Sequence, residues 1–179
     1  MLTIEPYDPM WPEQFCEEAT RLRSVLGPAA LRIEHVGSTS VPGLPAKPVI
    51  DIQVSVASLE PLAQLAKDLE GLGYTYVPVG DFDKVYPFFT KPAEWPSTHH
   101  VHVCVSGGEQ EAKHLAFRDY LRNDPAIAVE YVKLKRVLAA SHHGTTLESR
   151  ENYSRAKSEF VQMVLKQAAS EGYVTGGAQ

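Results

Sequence analysis

The sequence predicts an α+β fold, a sheet core with helices packed against it, from three observations. Strand-like runs are confined to the part before Gly108, and the strongest is Val49–Val56, where Val49, Ile50, Ile52, Val54 and Val56 give the near-continuous β-branched signal of an interior strand. After Gly108 strand signals stop and three helical periodicities follow. The order is therefore sheet first and helices last, not strand and helix in regular alternation. The 179 residues, 44% hydrophobic and 22% charged, suit one ordered domain, with 1–108 as the sheet-containing core, 109–172 as the helical part and 173–179 as a frayed tail.

Each element has its own reason. Leu2–Ile4 reads as a short edge strand before the turn-prone Pro6, Asp8 and Pro9. Trp11, Phe15, Ala19, Leu22 and Leu26 recur at helical spacing and stop at Gly27. Leu31–Val36 alternates weakly and runs into Gly37-Ser38-Thr39-Ser40. Three prolines between Val41 and Pro48 exclude a regular helix there. Ser58 is placed to cap a helix through Leu59, Leu62, Leu65, Ala66 and Leu69, closed by Gly71 and Gly73. Tyr74–Val77, Val85–Thr90 and His100–Val105 are short strands, the second interrupted by Pro87. The helices run from Glu109 to Arg122, from Asp124 as cap with Pro125 in first position to Ala140, and from near Ser149 to about Ser170.

Seventeen Lys and Arg against 22 Asp and Glu give a net charge of −5, which argues against general nucleic-acid binding and against anionic membrane surfaces. No run reaches the roughly 18 apolar residues of a membrane span. The first residues carry Glu5 and Asp8 and lack the basic start of a secretory signal, and the two cysteines, Cys16 and Cys104, read as reduced thiols. A cytoplasmic protein is expected.

Chemistry concentrates in two segments. In the first, a strand ends in Gly37-Ser38 and, with twelve residues intervening, a second strand carries Asp51. Gly37 lets backbone N–H groups approach an anion, Ser38, Thr39 and Ser40 add hydroxyls, and Lys47 adds positive charge. Asp51 is the hard oxygen ligand that a divalent metal needs beside phosphates, and it is the candidate catalytic residue. The plainer alternative is a tight turn with Asp51 in a structural ion pair. In the second segment, His100, His102 and Cys104 share one strand face and His99, Val101 and Val103 the other. His100 and His102 can bind one transition metal or one phosphate. If their strand neighbours that of Asp51, the three form a mixed site that favours zinc, manganese or iron over magnesium.

Asp81 and Asp83 form another alternating acid pair, read as a solvated loop before a catalytic one. His142-His143 reads as a helix C-terminus. Lys135 follows Tyr131 by four residues beside an apolar stripe, Lys157 follows Tyr153 likewise, and Arg118 and Arg122 share a helix face. As a set, Lys47, Arg118, Lys135 and Lys157 make a candidate cationic cleft. Taken singly, each reads as a snorkelling side chain or a structural pair such as Arg118–Asp119.

These stretches resemble the GrpB family of the nucleotidyltransferase-fold superfamily, which also occurs fused to dephospho-CoA kinases. Val36–Val54 resembles its most specific block. Tyr7-Asp8-Pro9 with Trp11, His100–Val103, Phe117–Leu121, Tyr131 with Leu134-Lys135, and Tyr153 with Lys157 resemble the others in order. The resemblance implies a nucleotidyltransferase-like mixed sheet flanked by helices, with the Gly37-Ser38 turn gripping the phosphates of a nucleoside triphosphate. It implies a divalent metal, Mg or Mn and failing those Zn, and transfer of a nucleotidyl group to an unknown acceptor. Active members of the superfamily usually carry a second acid two positions after the first, where this chain has Gln53. That departure leaves two alternatives beside transfer, a non-catalytic nucleotide-binding accessory module and a metal-dependent hydrolase built on the histidines.

Overall fold

The computed structural model describes residues 3–141 and 146–175. A five-stranded mixed sheet is built from β1 (Arg32–Val36), β2 (Ile50–Val56), β3 (Thr75–Val77), β4 (Phe88–Lys91) and β5 (His99–Val105), in the order β1-β2-β5-β4-β3. Only β2 and β5 run parallel; the other neighbours are antiparallel. Strand β2 lies inside the sheet between β1 and β5, as its β-branched run requires.

Residues directly opposite in register share a face. Ile52, Val54, Val101, Val103 and Phe89 fall on one side with almost no exposure. That side is covered by α1 (Trp11–Leu26) and α2 (Leu62–Glu70) through Trp11, Leu22, Leu26, Leu65 and Leu69. The opposite face carries Arg32, Glu34, Asp51, Gln53, Ser55, His100 and His102. Helix α3 (Glu109–Asn123) crosses this polar face and answers it residue by residue, with Glu111 on Arg32 (2.7 Å), His114 on Gln53 (3.1 Å) and Arg118 on Glu34 (2.8 Å).

Behind α3 lie α4 (Pro125–Ser141), α5 (Leu147–Ala156) and α6 (Ser158–Ser170). Val41 and Leu44, from the proline-rich loop, pack with Leu121, Tyr131 and Val132, which ties that loop to the helical part. Asp124 caps α4 through Ala126 N–H (2.9 Å) and Ile127 N–H (3.1 Å), with Pro125 in the first turn.

Several expected boundaries move. The final helix is divided at Lys157 into α5 and α6, and neither glycine nor proline marks the division. Ser58 does not cap α2. Glu60 precedes a proline and so avoids the α region; the helix begins after Pro61, while Ser58 Oγ accepts from Glu60 N–H (3.1 Å). Strand β4 starts at Phe88, because Pro87 donates nothing to the ladder and Val85 and Tyr86 instead close the 3-10 turn Gly80–Lys84. Near the N-terminus a single bridge, Glu5 with Ala46, stands where an edge strand was expected; Leu2 lies outside the described residues. His142 and His143 also lie outside them, as do 176–179 of the expected tail. Cys16 is exposed and Cys104 buried, and both are free thiols.

Candidate metal and phosphate site

Strand β1 ends at Val36, opposite Asp51, and the chain turns at Gly37 with φ +69° into a 3-10 turn, Ser38–Ser40. A Cβ on Gly37 would lie 2.4 Å from Asp51 Oδ2, so the glycine makes room for the carboxylate itself as well as for the turn. Thr39 and Ser40 hold the turn. Thr39 Oγ1 is buried, donates to the Val49 carbonyl (3.1 Å) and lies 3.0 Å from His35 Nε2, while Ser40 Oγ donates to the Gly37 carbonyl (2.6 Å). Thr39 is thus turned inward, away from the phosphate-contacting role expected of it. The Ser38 side chain is half-buried at the same turn and remains open to solvent.

Parallel pairing of β2 and β5 sets Asp51 opposite His100. His100 Nδ1 is 3.1 Å and His102 Nε2 3.6 Å from Asp51 Oδ1. One ligand atom from each residue falls within 4.8 Å of the other two, which no other His, Cys, Asp and Glu trio achieves among the described residues. The side chains are 22–28% exposed, so the cluster opens to solvent at one side. Burial opposes ionisation of Asp51, but hydrogen bonds and charge from His100 and His102 outweigh it and hold the carboxyl well below the usual carboxylate range. The pKa of His102 is lowered as well, since burial favours the neutral ring and Asp51 only partly offsets it. A carboxylate beside a neutral imidazole is the protonation state that metal ligation needs.

The donor set fits one ion and does not fit two. Gln53 is fully buried, and its Oε1 faces His114 Nδ1 (3.1 Å). Asp81 and Asp83 supply no substitute; they sit on the exposed Gly80–Lys84 turn, bound to Lys84 (2.8 Å) and to Val79 N–H (3.1 Å). Two magnesium ions would require further carboxylates, and Glu34, the other one on this sheet face, is held by Arg118 (2.8 Å).

Among the expected cations, Lys135 on α4 is 2% exposed, donates to the Pro45 carbonyl (2.6 Å) and stands over the Tyr131 ring (4.7 Å). Burial, then the charges of Lys157 and Lys47, push its pKa down to about 7, while Asp51 pulls it up. Lys47, Lys135, Lys157 and Asp51 therefore share one electrostatic neighbourhood. Arg118 is spent elsewhere: Nε donates to Asp119 (2.7 Å), and one terminal nitrogen donates to Glu34 (2.8 Å) and the His35 carbonyl (3.0 Å). Arg122 clamps the Ser40 carbonyl (2.7 Å) and so braces the turn from α3. Both arginines act as structural fasteners between α3 and the turn, and the proposed cleft narrows to the three lysines.

Two participants were not singled out from sequence. His114 faces Gln53, and Tyr86 stacks on both His102 (4.9 Å) and His114 (4.6 Å). The spacing Glu111, His114, Arg118 along one helix face was the available signal for His114. Tyr86 had none.

Residues 1–167 match the family described as GrpB protein. The chain belongs to the GrpB family. A crystal structure of GrpB from Enterococcus faecalis superposes with a TM-score of 0.81 at 39% identity, covering 94% of this chain and 98% of that one. UPF0157 protein YqkA of Bacillus subtilis is 39% identical across 87% of this chain, but the chain spans only 43% of YqkA. It spans 42% of a Mycobacterium leprae dephospho-CoA kinase, at 32% identity over 80% of this chain. At 15% identity, the Cid1 poly(U) polymerase described as bound to Mg 3'-dATP superposes with a TM-score of 0.52 over 80% of this chain and 45% of that one. That likeness concerns the fold: a GrpB sheet with its flanking helices is nucleotidyltransferase-like. The departure at Gln53 stands within this fold.

Proposed function

We propose that this GrpB protein binds a nucleoside triphosphate together with one divalent metal ion. Asp51, His100 and His102 hold the metal; Ser38, Lys47, Lys135 and Lys157 face the phosphates. The observation that carries the reading is the Asp51–His100–His102 cluster abutting the Gly37-Ser38 turn, with a buried lysine of α4, within the electrostatic reach of Asp51, that has no carboxylate paired to it among the described residues. A buried ammonium without a counter-charge is costly, and a phosphate offsets that cost. The Mg nucleotide of the Cid1 neighbour supports the same ligand class.

A bound divalent ion would supply charge neutralisation at the phosphate oxygens. The chain's own part is positioning. Gly37 leaves room for Asp51, Arg122 fixes the turn through Ser40, and Lys135 is carried to the phosphates by α4. Transfer then consists of attack by an acceptor oxygen on the α-phosphorus, with the bond to the β-phosphate oxygen broken and pyrophosphate leaving. Two His and one carboxylate favour manganese or zinc over magnesium, which also supports a second reading in which water is the acceptor and the protein is a hydrolase.

Calorimetric titration with ATP, GTP, CTP and UTP, each with Mg, Mn or Zn, tests the binding. One nucleotide and one metal per chain are expected, with both lost in Asp51→Ala. If no triphosphate binds the unmodified protein with any of these ions, the reading fails. Pyrophosphate release then separates transfer or hydrolysis from binding alone.

A further inference from the structure

We propose that Tyr86, backed by His114, is the positioning residue that fixes the His102 ring for metal ligation; this rests on the reading that Asp51, His100 and His102 hold a divalent ion. A ligating histidine is ordinarily oriented by a hydrogen bond from its second ring nitrogen. His102 presents Nε2 towards Asp51, but its Nδ1 is buried and has no hydrogen-bond partner among the described residues. Stacked rings take the place of that bond. Tyr86 lies 4.9 Å from His102 with planes 13° apart, and Phe88 lies 4.8 Å away at 28°. Tyr86 also rests on His114, 4.6 Å away at 12°. His114 also lies 6.3 Å from His102 at 24°, so the three rings form a triangle, and it is pinned in turn, since its Nδ1 lies 3.1 Å from Oε1 of the fully buried Gln53.

The cluster joins three separate pieces of chain. His102 comes from β5, Tyr86 from the segment before β4, and His114 from α3. Tyr86 is fixed in turn by its N–H on the Phe82 carbonyl (2.7 Å). Its hydroxyl is buried without a partner among the described residues, so hydrogen bonding by that group does not explain where the ring sits. The flat face does, because offset aromatic stacking sets both the distance and the tilt of its neighbour. Gln53, at the position where an acid was expected, gains a role in this arrangement: it anchors one ring of the cluster that aims a metal ligand.

The test uses the full chain and two ions, Co(II), whose visible absorption reports coordination geometry, and Zn(II). The unmodified protein is expected to bind one ion per chain with a defined Co(II) spectrum. Tyr86→Phe should keep that spectrum and an affinity within about twofold, whereas Tyr86→Leu should bind about tenfold more weakly, with displaced bands, while retaining its far-UV signature. His114→Leu, which removes the more distant of these two rings beside His102, is expected to shift the same bands with a smaller loss, and it decides the matter if Tyr86→Leu does not fold. Leucine variants that bind and absorb as the unmodified protein does would overturn the positioning role, and so would a loss in Tyr86→Phe equal to that in Tyr86→Leu. Failure of the unmodified protein to bind either ion removes the metal reading itself, a result distinct from unaltered binding in the variants.

Discussion

Gly37 and Asp51 occupy space that only one of them can fill with a side chain. At φ +69°, and with Asp51 Oδ2 2.4 Å from where a Cβ would stand, Gly37→Ala meets both backbone strain and a clash with the Asp51 carboxylate. A loss of about 1–3 kcal/mol is expected from the backbone alone. Denaturant unfolding should show that loss, and metal titration should show weakened binding in the folded fraction. His35, on the other side of the same turn, is buried between Phe15 (4.8 Å, nearly parallel) and Thr39. Burial first, only partly opposed by Asp51, lowers its pKa from 6.5 to about 4. The folded state therefore favours the neutral ring, and the unfolded chain takes up the proton more readily. Its contribution is complete above pH 6.5 and is lost as pH falls towards 4, by up to about 3 kcal/mol. Stability measured between pH 7 and pH 4 should fall less steeply in His35→Gln than in the unmodified chain.

Among the elements, α3 and α4 reach the site by opposite means. Helix α3 meets a polar sheet face with a polar stripe, so Gln53 is held by His114 and is not open to an ion. Gln53→Asp is accordingly expected to leave the metal stoichiometry at one per chain, as metal analysis of the nucleotide complex would read; a second bound ion would contradict this. Helix α4 instead buries Lys135 between the Pro45 carbonyl and Tyr131. With a pKa lowered from 10.5 to about 7 by burial and then by Lys157 and Lys47, that side chain favours its neutral form in the folded protein. Its stability contribution is complete above pH 10.5 and falls away as pH drops to 7. Lys135→Met should therefore raise stability at pH 7 by about 1 kcal/mol or more while weakening triphosphate binding. Parallel thermal unfolding and calorimetry would show the two effects in opposite directions. A phosphate drawn to Lys135 also favours its charged form. Titrations in buffers of different ionisation enthalpy should accordingly reveal proton uptake near pH 7.

For the whole molecule, the two-faced sheet decides what counts as a unit. The apolar face is closed by α1 and α2, which precede Gly108, but Arg32, Glu34 and Gln53 find their partners on α3, which follows it. A fragment 1–108 would expose those groups together with Val41 and Leu44. It is expected to unfold without a cooperative transition, whereas 1–172 should melt as one unit; differential calorimetry on both would check this.

Much of this plan could be read along the chain. Alternation in Val49–Val56 is a local property, and it revealed both an interior strand and the face that Asp51 shares with Gln53, because successive side chains of a strand point oppositely. The His100/His102 pair was legible for the same reason, as were the cap at Asp124 and the stop at Gly27, which depend on neighbours a few residues away. What local pattern cannot carry is register and long-range pairing. That β2 and β5 run side by side with Asp51 opposite His100, that Arg118 spends its charge on Glu34 and Asp119, and that Tyr86 reaches His102 are outcomes of packing between segments up to 84 residues apart. The candidate residue types are fixed by the sequence, but which of them gather around Asp51 and which become structural fasteners is decided only when the sheet and α3 close on each other, because a charge takes its role from the partner it meets.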